Sequence, residues 1–333
     1  MGKTQKTGNK MKRDVSLDAV CGILIIYVIV GHACQWCHVD TNEYIADVNK
    51  ALPFFMPWFY FKSGMFYHQR TIKETTKQGF KKFIIPYFAY LSIGEAFNLT
   101  KILMEHGEIW GALYIAIKKI LFTGASMGNL PLWFLPSLFL VKVCVCTFEK
   151  YNVSLILLFT IAFLIAGMGN LANGHLKIPY LILNTSGGVV FFLLGYKMKK
   201  CQYHKIDIIF STLIYLLIVF LCPSSVDFRS GETIAGFWFL YIVSSVAGII
   251  LVNNLFRLKI FQIPYIVSIG KHSLNYYCAH WVLFNATFVF FNINDKESNY
   301  HNLMILLASC IIILPTYSYW LDLMKRTIST MKF

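Results

Sequence analysis

Residues 17–36 read LDAVCGILIIYVIVGHACQW, with one carboxylate near the start (Asp18) and one histidine toward the end (His32). A helix needs about 20 mainly apolar residues to cross a bilayer core about 30 Å thick. This run meets that length. It has no small-residue cleavage site and keeps its own polar residues, so it reads as a permanent anchor and not as a removable signal segment.

The same character extends along the chain. Of 333 residues, 57% are apolar, 17% aromatic and 14% charged, whereas soluble domains carry about 25% charged residues. A compact soluble body of this size cannot hide so much apolar surface, so lipid must cover much of it. That excludes a disordered chain, a secreted disulfide scaffold and an ordinary cytosolic enzyme. Most of the nine cysteines lie in apolar runs, where Cys acts as a small hydrophobe.

The expected fold is an all-α integral membrane protein, a bundle of about ten transmembrane helices. Candidate spans fall at roughly 17–36, 51–68, 83–103, 130–148, 153–170, 178–197, 206–222, 233–255, 264–291 and 302–323. Residues 104–129 form a mixed stretch in which Trp110, Leu113 and Ile117 share a helical face, as in interfacial or re-entrant segments.

An even number of spans puts both termini on one side, and the basic residues say which. The N-terminal tail carries Lys3, Lys6, Lys10, Lys12 and Arg13, and the loop after the second span carries Arg70, Lys73, Lys77, Lys81 and Lys82. Opposite loops are sparser, with Lys50, Lys101, Lys118, Lys119, Lys177, Arg229 and Lys296. Because Lys and Arg collect in cytoplasmic loops, both termini are expected in the cytoplasm. The net charge of +14 is then a topology signal and gives no reason to invoke a nucleic-acid partner. The expected organisation is a basic cytoplasmic tail (1–16), a transmembrane domain (17–323) and a short cytoplasmic tail (324–333), in a bacterial plasma membrane.

Ionisable groups inside a membrane are costly and mark function by default. The set is Asp18, His32, Lys62, Glu95, Lys142, Lys271, His272, His280 and Asp322. Lys142, Lys271 and Asp322 read best as span-end residues that snorkel to water. His32 follows an unbroken apolar run, Ile23 to Val30. Cys34-Gln35-Trp36-Cys37-His38 has the spacing of a covalent haem attachment site, but the chain offers no soluble pocket for a haem. A second matched ligand pair for zinc is also missing, so no bound metal or cofactor is expected.

An ordered set of short motifs carries more weight. The first span opens with Arg13-Asp14-Val15-Ser16-Leu17-Asp18 and ends in Gly31-His32-Ala33. The second reads Phe54-Phe55-Met56-Pro57-Trp58-Phe59-Tyr60-Phe61-Lys62-Ser63-Gly64, and the third follows Lys81-Lys82-Phe83-Ile84-Ile85-Pro86-Tyr87. The fourth opens with Leu132-Trp133-Phe134-Leu135-Pro136-Ser137, the sixth carries Gly188 to Tyr196, and the ninth carries Gly270-Lys271-His272-Ser273 and Cys278-Ala279-His280. From about residue 13 to 281 this series resembles the membrane acyltransferase 3 family, in particular its fucose 4-O-acetylase-like branch. The resemblance implies an enzyme that moves an acetyl or similar group from cytoplasmic acyl-CoA to the hydroxyl of an extracytoplasmic or lipid-linked glycan. Acyl-CoA is then the co-substrate. The acceptor stays open among fucose, hexosamine, capsule, O-antigen and peptidoglycan, and the oligomeric state is unspecified.

One position departs from the family pattern. Where relatives carry Arg or Lys eleven residues before the first-span histidine, this chain has Cys21, about 16 Å along the helix axis from His32. Lys62, Lys81, Lys82 or Arg13 would have to supply the missing cation. His32 is the candidate general base, or a covalent acyl relay. Glu95 or His280 could orient it. Asp18 lies about 21 Å from it along the same helix and cannot. Trp133 reads as packing or an interfacial anchor, and Ser63 and Gly64 as small residues that let helices approach. The rival class is a transporter of polysaccharide or lipid-linked sugar, against which stands the lack of an inverted repeat.

Overall fold

The computed structural model describes residues 13–39, 48, 50–172, 178–201, 203–291 and 300–330. Its helices, in chain order, are α1 (Val15–Trp36), α2 (Phe55–Met65), α3 (Ile72–Gly79), α4 (Ile85–Met104), α5 (Ile109–Thr123), α6 (Phe134–Lys150) and α7 (Leu155–Ala172). There follow α8 (Tyr180–Met198), α9 (Lys205–Leu221), α10 (Trp238–Leu255), α11 (Pro264–Lys271), α12 (Ser273–Phe291) and α13 (Tyr300–Thr330). A π-helical turn, Phe80–Ile84, leads into α4, and a 3₁₀ segment, Met127–Trp133, leads into α6.

Five helical runs among the described residues are long and apolar enough to cross a membrane: Val15–Trp36, Ile109–Lys150, Tyr180–Met198, Trp238–Leu255 and Tyr300–Met324. Several other expected spans are short or broken. The region expected at 51–68 contains only the 11-residue α2. The one expected at 264–291 breaks at His272, whose ring Nδ1 lies 2.8 Å from the Ser268 carbonyl and occupies an acceptor at the end of α11. Large apolar side chains still face outward around the bundle, as on α9, where Ile209, Leu213, Leu217 and Phe220 are all exposed. Residues 104–129 contain a helix whose Trp110 and Ile117 also face out.

Two pairs of helices come together through glycine. A Cβ on Gly22 of α1 would fall 2.1 Å from the Ile266 carbonyl oxygen, and one on Gly270 of α11 would fall 1.7 Å from that of Asp18. Between α2 and α8, Gly64 and Gly195 stand in the same way against Phe192 and Phe61. Backbones pack this closely only where side chains are absent. Bulky aromatics such as Trp58, Tyr60, Phe191 and Phe192 then fill the core beside them.

Three features depart from expectation. The fold is not purely α: a two-stranded antiparallel hairpin, β1 (Ser225–Asp227) and β2 (Glu232–Ala235), joins α9 to α10, with Asp227 opposite Glu232. Its turn follows from the sequence Asp227-Phe228-Arg229-Ser230-Gly231, in which Asp227 accepts from the Arg229 N–H at 3.0 Å and Gly231 adopts a φ of +73°. Helix α1 begins two residues inside the expected tail, because Asp14 caps it by accepting from the Ser16 and Leu17 N–H groups. Helix α13 runs on through Thr330, into the expected C-terminal tail. The basic residues Lys3 to Lys12 lie outside the described residues.

Candidate active site

One stripe of α1 organises the site. Cys21, Ile25, Val28, His32 and Gln35 succeed one another at helical spacing, and all five line cavities. The cavity at the His32 end has a volume of about 780 Å³ and the one at the Cys21 end about 440 Å³. Val28, Met56 and Tyr277 line both. These three residues therefore form the septum between the two cavities, with Val28 one helical turn from His32.

At the septum's upper face His32 is paired with His280. Their nearest nitrogens, Nδ1 of His32 and Nε2 of His280, are 3.0 Å apart. The rings are inclined by only 4° with centroids 5.3 Å apart, which is an in-plane, nitrogen-to-nitrogen arrangement and not face-to-face stacking. The proton positions follow by elimination. His280 Nδ1 lies 2.8 Å from the Tyr277 carbonyl and 3.2 Å from that of Tyr276. Carbonyl oxygens only accept, so this nitrogen carries hydrogen. In a neutral imidazole the other nitrogen is then an acceptor, and His32 Nδ1 must donate to it. His32 is left with an unprotonated Nε2, the tautomer a general base requires. Trp281 holds the ring edge-on at 5.6 Å.

The second cavity is basic. Arg13, Lys62, Lys82, Lys142 and Lys271 line it, together with Ser63, His272 and Asp322. Asp18, almost fully buried, organises two of these cations: Arg13 Nε donates to it at 2.5 Å and Nη2 at 3.0 Å, while Lys62 Nζ stands at 3.9 Å. Lys82 and Lys142 both lie over the Phe83 ring. Desolvation lowers the pKa of Lys82, and the charges of Lys62 and Arg13 push it the same way. Cations crowded in this way have the chemistry to hold an anionic group.

Among the proposed donor-site residues the structure brings together Arg13, Lys62 and Lys82 but not Lys81; both adjacent lysines are exposed, and only Lys82 lines the cavity. Cys21 does line it, so the cation absent there is surrounded by others. Lys142 and Lys271, read from sequence as snorkelling residues, also face this cavity. Their signal was already present, since intramembrane lysines are functional candidates by default. Cys34 and Cys37, on the last turn of α1, are present as thiols.

Glu95 is placed differently from His280. Its carboxylate accepts from the Gly128 N–H at 2.8 Å and from Asn98 at 3.2 Å, which ties α4 to the 3₁₀ segment. Helix α12 grips the same segment. Asn285 donates to the Gly128 carbonyl at 2.8 Å, Trp281 to that of Met127 at 3.1 Å and Tyr277 to that of Pro131, while Asn129 returns a bond to the Cys278 carbonyl at 3.0 Å. The result fixes Pro131 and Trp133 as one wall of the His32 cavity. The hairpin supplies another wall with Asp227, Arg229 and Glu232, residues that fall between the expected spans 206–222 and 233–255.

These features define a class: a helical membrane protein with a base-forming histidine pair at the junction of a cationic and a mixed-polarity cavity. The model of the acyltransferase 3 family, which describes an acyltransferase domain, matches residues 14–320. The chain belongs to that family and is a multi-pass membrane acyltransferase. No curated protein and no solved structure matches it.

Proposed function

We propose that the protein is an O-acyltransferase that takes an acetyl group from cytoplasmic acyl-CoA and delivers it to a hydroxyl of an extracytoplasmic or lipid-linked glycan. On this reading the chain makes about ten crossings, some by the short and broken helices. Both termini and the basic cavity face the cytoplasm, and the His32 cavity faces outward. One observation carries the proposal: a cationic cavity and a histidine-bearing cavity share the lining residues Val28, Met56 and Tyr277. The phosphates of the donor would lie among Arg13, Lys62, Lys82, Lys142 and Lys271. Its extended thiol arm would reach along the α1 stripe, with the thioester at the septum.

The chemistry is then direct. His32 Nε2 removes the proton from the acceptor hydroxyl as its oxygen attacks the thioester carbonyl. The new C–O bond forms, the C–S bond breaks, and the proton passes to the departing sulfur. His280 holds His32 in the required tautomer and accepts from its Nδ1–H throughout, the part a third residue plays in other acyl-transfer sites.

Purified protein in nanodiscs, given radiolabelled acetyl-CoA and candidate glycans, tests this. Label should move to glycan, and His32→Gln should slow transfer by roughly 10²-fold or more. Near-native transfer by both His32→Gln and His32→Ala would overturn the assignment. Sugar movement without label transfer would assign the cavities to transport instead.

A further inference from the structure

We propose that the Ser225–Ala235 hairpin selects the acceptor, and that Glu232 and Arg229 on it bind the hydroxyls of an uncharged sugar. This rests on reading the His32 cavity as the acceptor site. The hairpin is fixed to the bundle and is not a loose loop. Phe228, only 5% exposed, inserts among Tyr60, Trp133 and Phe191 at ring-centroid distances of 5.4, 6.4 and 6.0 Å. Asn184 of α8 donates to the Arg229 carbonyl at 3.3 Å. The anchored turn therefore holds Asp227, Arg229 and Glu232 in the wall of the cavity that His32 also lines.

Within the hairpin the charged groups divide their work. Asp227 is committed to the turn, accepting from the Arg229 N–H at 3.0 Å and from Ser230 Oγ at 3.1 Å. For Glu232 the turn uses the backbone N–H, which donates to Ser230 Oγ at 3.3 Å. Glu232 itself is half-buried and lines the cavity. Arg229 meets Asp227 only at 3.8 Å, too long for a good hydrogen bond, so its donor fork is available. A carboxylate that accepts beside a guanidinium that donates matches a pair of adjacent hydroxyls. Trp133 and Tyr241 on the same walls suit the apolar face of a sugar ring. The charge balance sets the class. Two carboxylates against one guanidinium repel an acidic sugar, and an ammonium group, which only donates, gives Arg229 no acceptor. A volume of about 780 Å³ lies within the usual range for small-ligand sites.

Binding measured without any donor separates this idea from the transfer chemistry. Ligand-observed NMR on the full protein in nanodiscs would compare methyl glycosides of a neutral hexose, a uronic acid and an amino sugar. The neutral glycoside should bind best. Glu232→Gln and Arg229→Gln should each weaken it by about tenfold, as expected on losing a charge-assisted hydrogen bond, with an unchanged melting temperature. Glu232→Gln should also narrow the gap between the uronic acid and the neutral sugar. Preferential binding of a charged glycoside, binding of none, or native affinity in both variants would overturn the proposal. Wild-type protein that binds neutral glycosides through Glu232 but transfers no acetyl would leave the hairpin assignment standing and remove the acyltransfer reading of His32.

Discussion

Lys81 and Lys82 are adjacent in sequence and differ in position, and the difference can be measured. Lys82 lines the basic cavity and Lys81 does not. Lys82→Gln should raise KM for acyl-CoA several-fold with little change in kcat, the form expected when uniform binding is lost. Lys81→Gln and Cys21→Ala should leave KM within about twofold of wild type on the same criterion. Lys82 also gives a pH dependence. Its pKa is lowered by desolvation and by neighbouring cations, so its charge is lost at a lower pH than for an ordinary lysine. KM for the donor should therefore rise on the alkaline limb. In Lys82→Arg, which stays charged throughout, that rise should move to higher pH, as steady-state kinetics across the alkaline range would show.

The 3₁₀ segment Met127–Trp133 is the element on which the outer wall of the His32 cavity depends, and Glu95 is one of its clamps. Glu95→Gln keeps an oxygen to accept from the Gly128 N–H and should retain most activity. Glu95→Ala strands that N–H, at a cost of about 1–3 kcal/mol, and should lower the melting temperature along with acceptor turnover. A Glu95→Gln variant as dead as His32→Gln would instead make Glu95 a catalytic residue. Elements were unequally legible in the sequence. The α1 stripe was, because apolar length and helical spacing are local properties, and so was Gly64 as a point of close helix approach. The pairing of His32 with His280 spans 248 positions, and only tertiary packing brings the two rings together. The hairpin was missed although its Asp-x-x-Ser-Gly turn signal was present. It lies between two long apolar helices, and its strands, three and four residues long, are too short to show a period-2 pattern beside them.

At the scale of the whole molecule, the two cavities differ in how they respond to salt. A site built from five cations should lose affinity for a polyanionic donor as ionic strength rises, because partly exposed charges are screened beyond about 8 Å at 0.15 M salt. Glycoside binding in the His32 cavity should change far less, and isothermal titrations of each ligand at two salt concentrations would compare them. Accessibility gives a second check. Cysteine labelling should find both termini on the side of Lys82 and the hairpin, near Arg229, on the other; a terminus and the hairpin reached from the same side would sink the proposed topology.

The septum of Val28, Met56 and Tyr277 has a consequence for energetics. In the proposed topology the two cavities open on opposite sides, and the membrane voltage would fall across the three side chains between them. Any uncompensated charge crossing them would couple turnover to the potential at about 2.3 kcal/mol per 100 mV. In the proposed reaction an acyl group leaves the donor as a formal cation and crosses outward, while the acceptor's proton crosses inward to the departing thiol. The two charges are equal and opposite, so the exchange is electroneutral. In proteoliposomes, acetylation of an enclosed glycan should run at the same initial rate with or without an imposed diffusion potential. A rate that followed the voltage would mean that proton and acyl group do not pass the partition in one-to-one exchange.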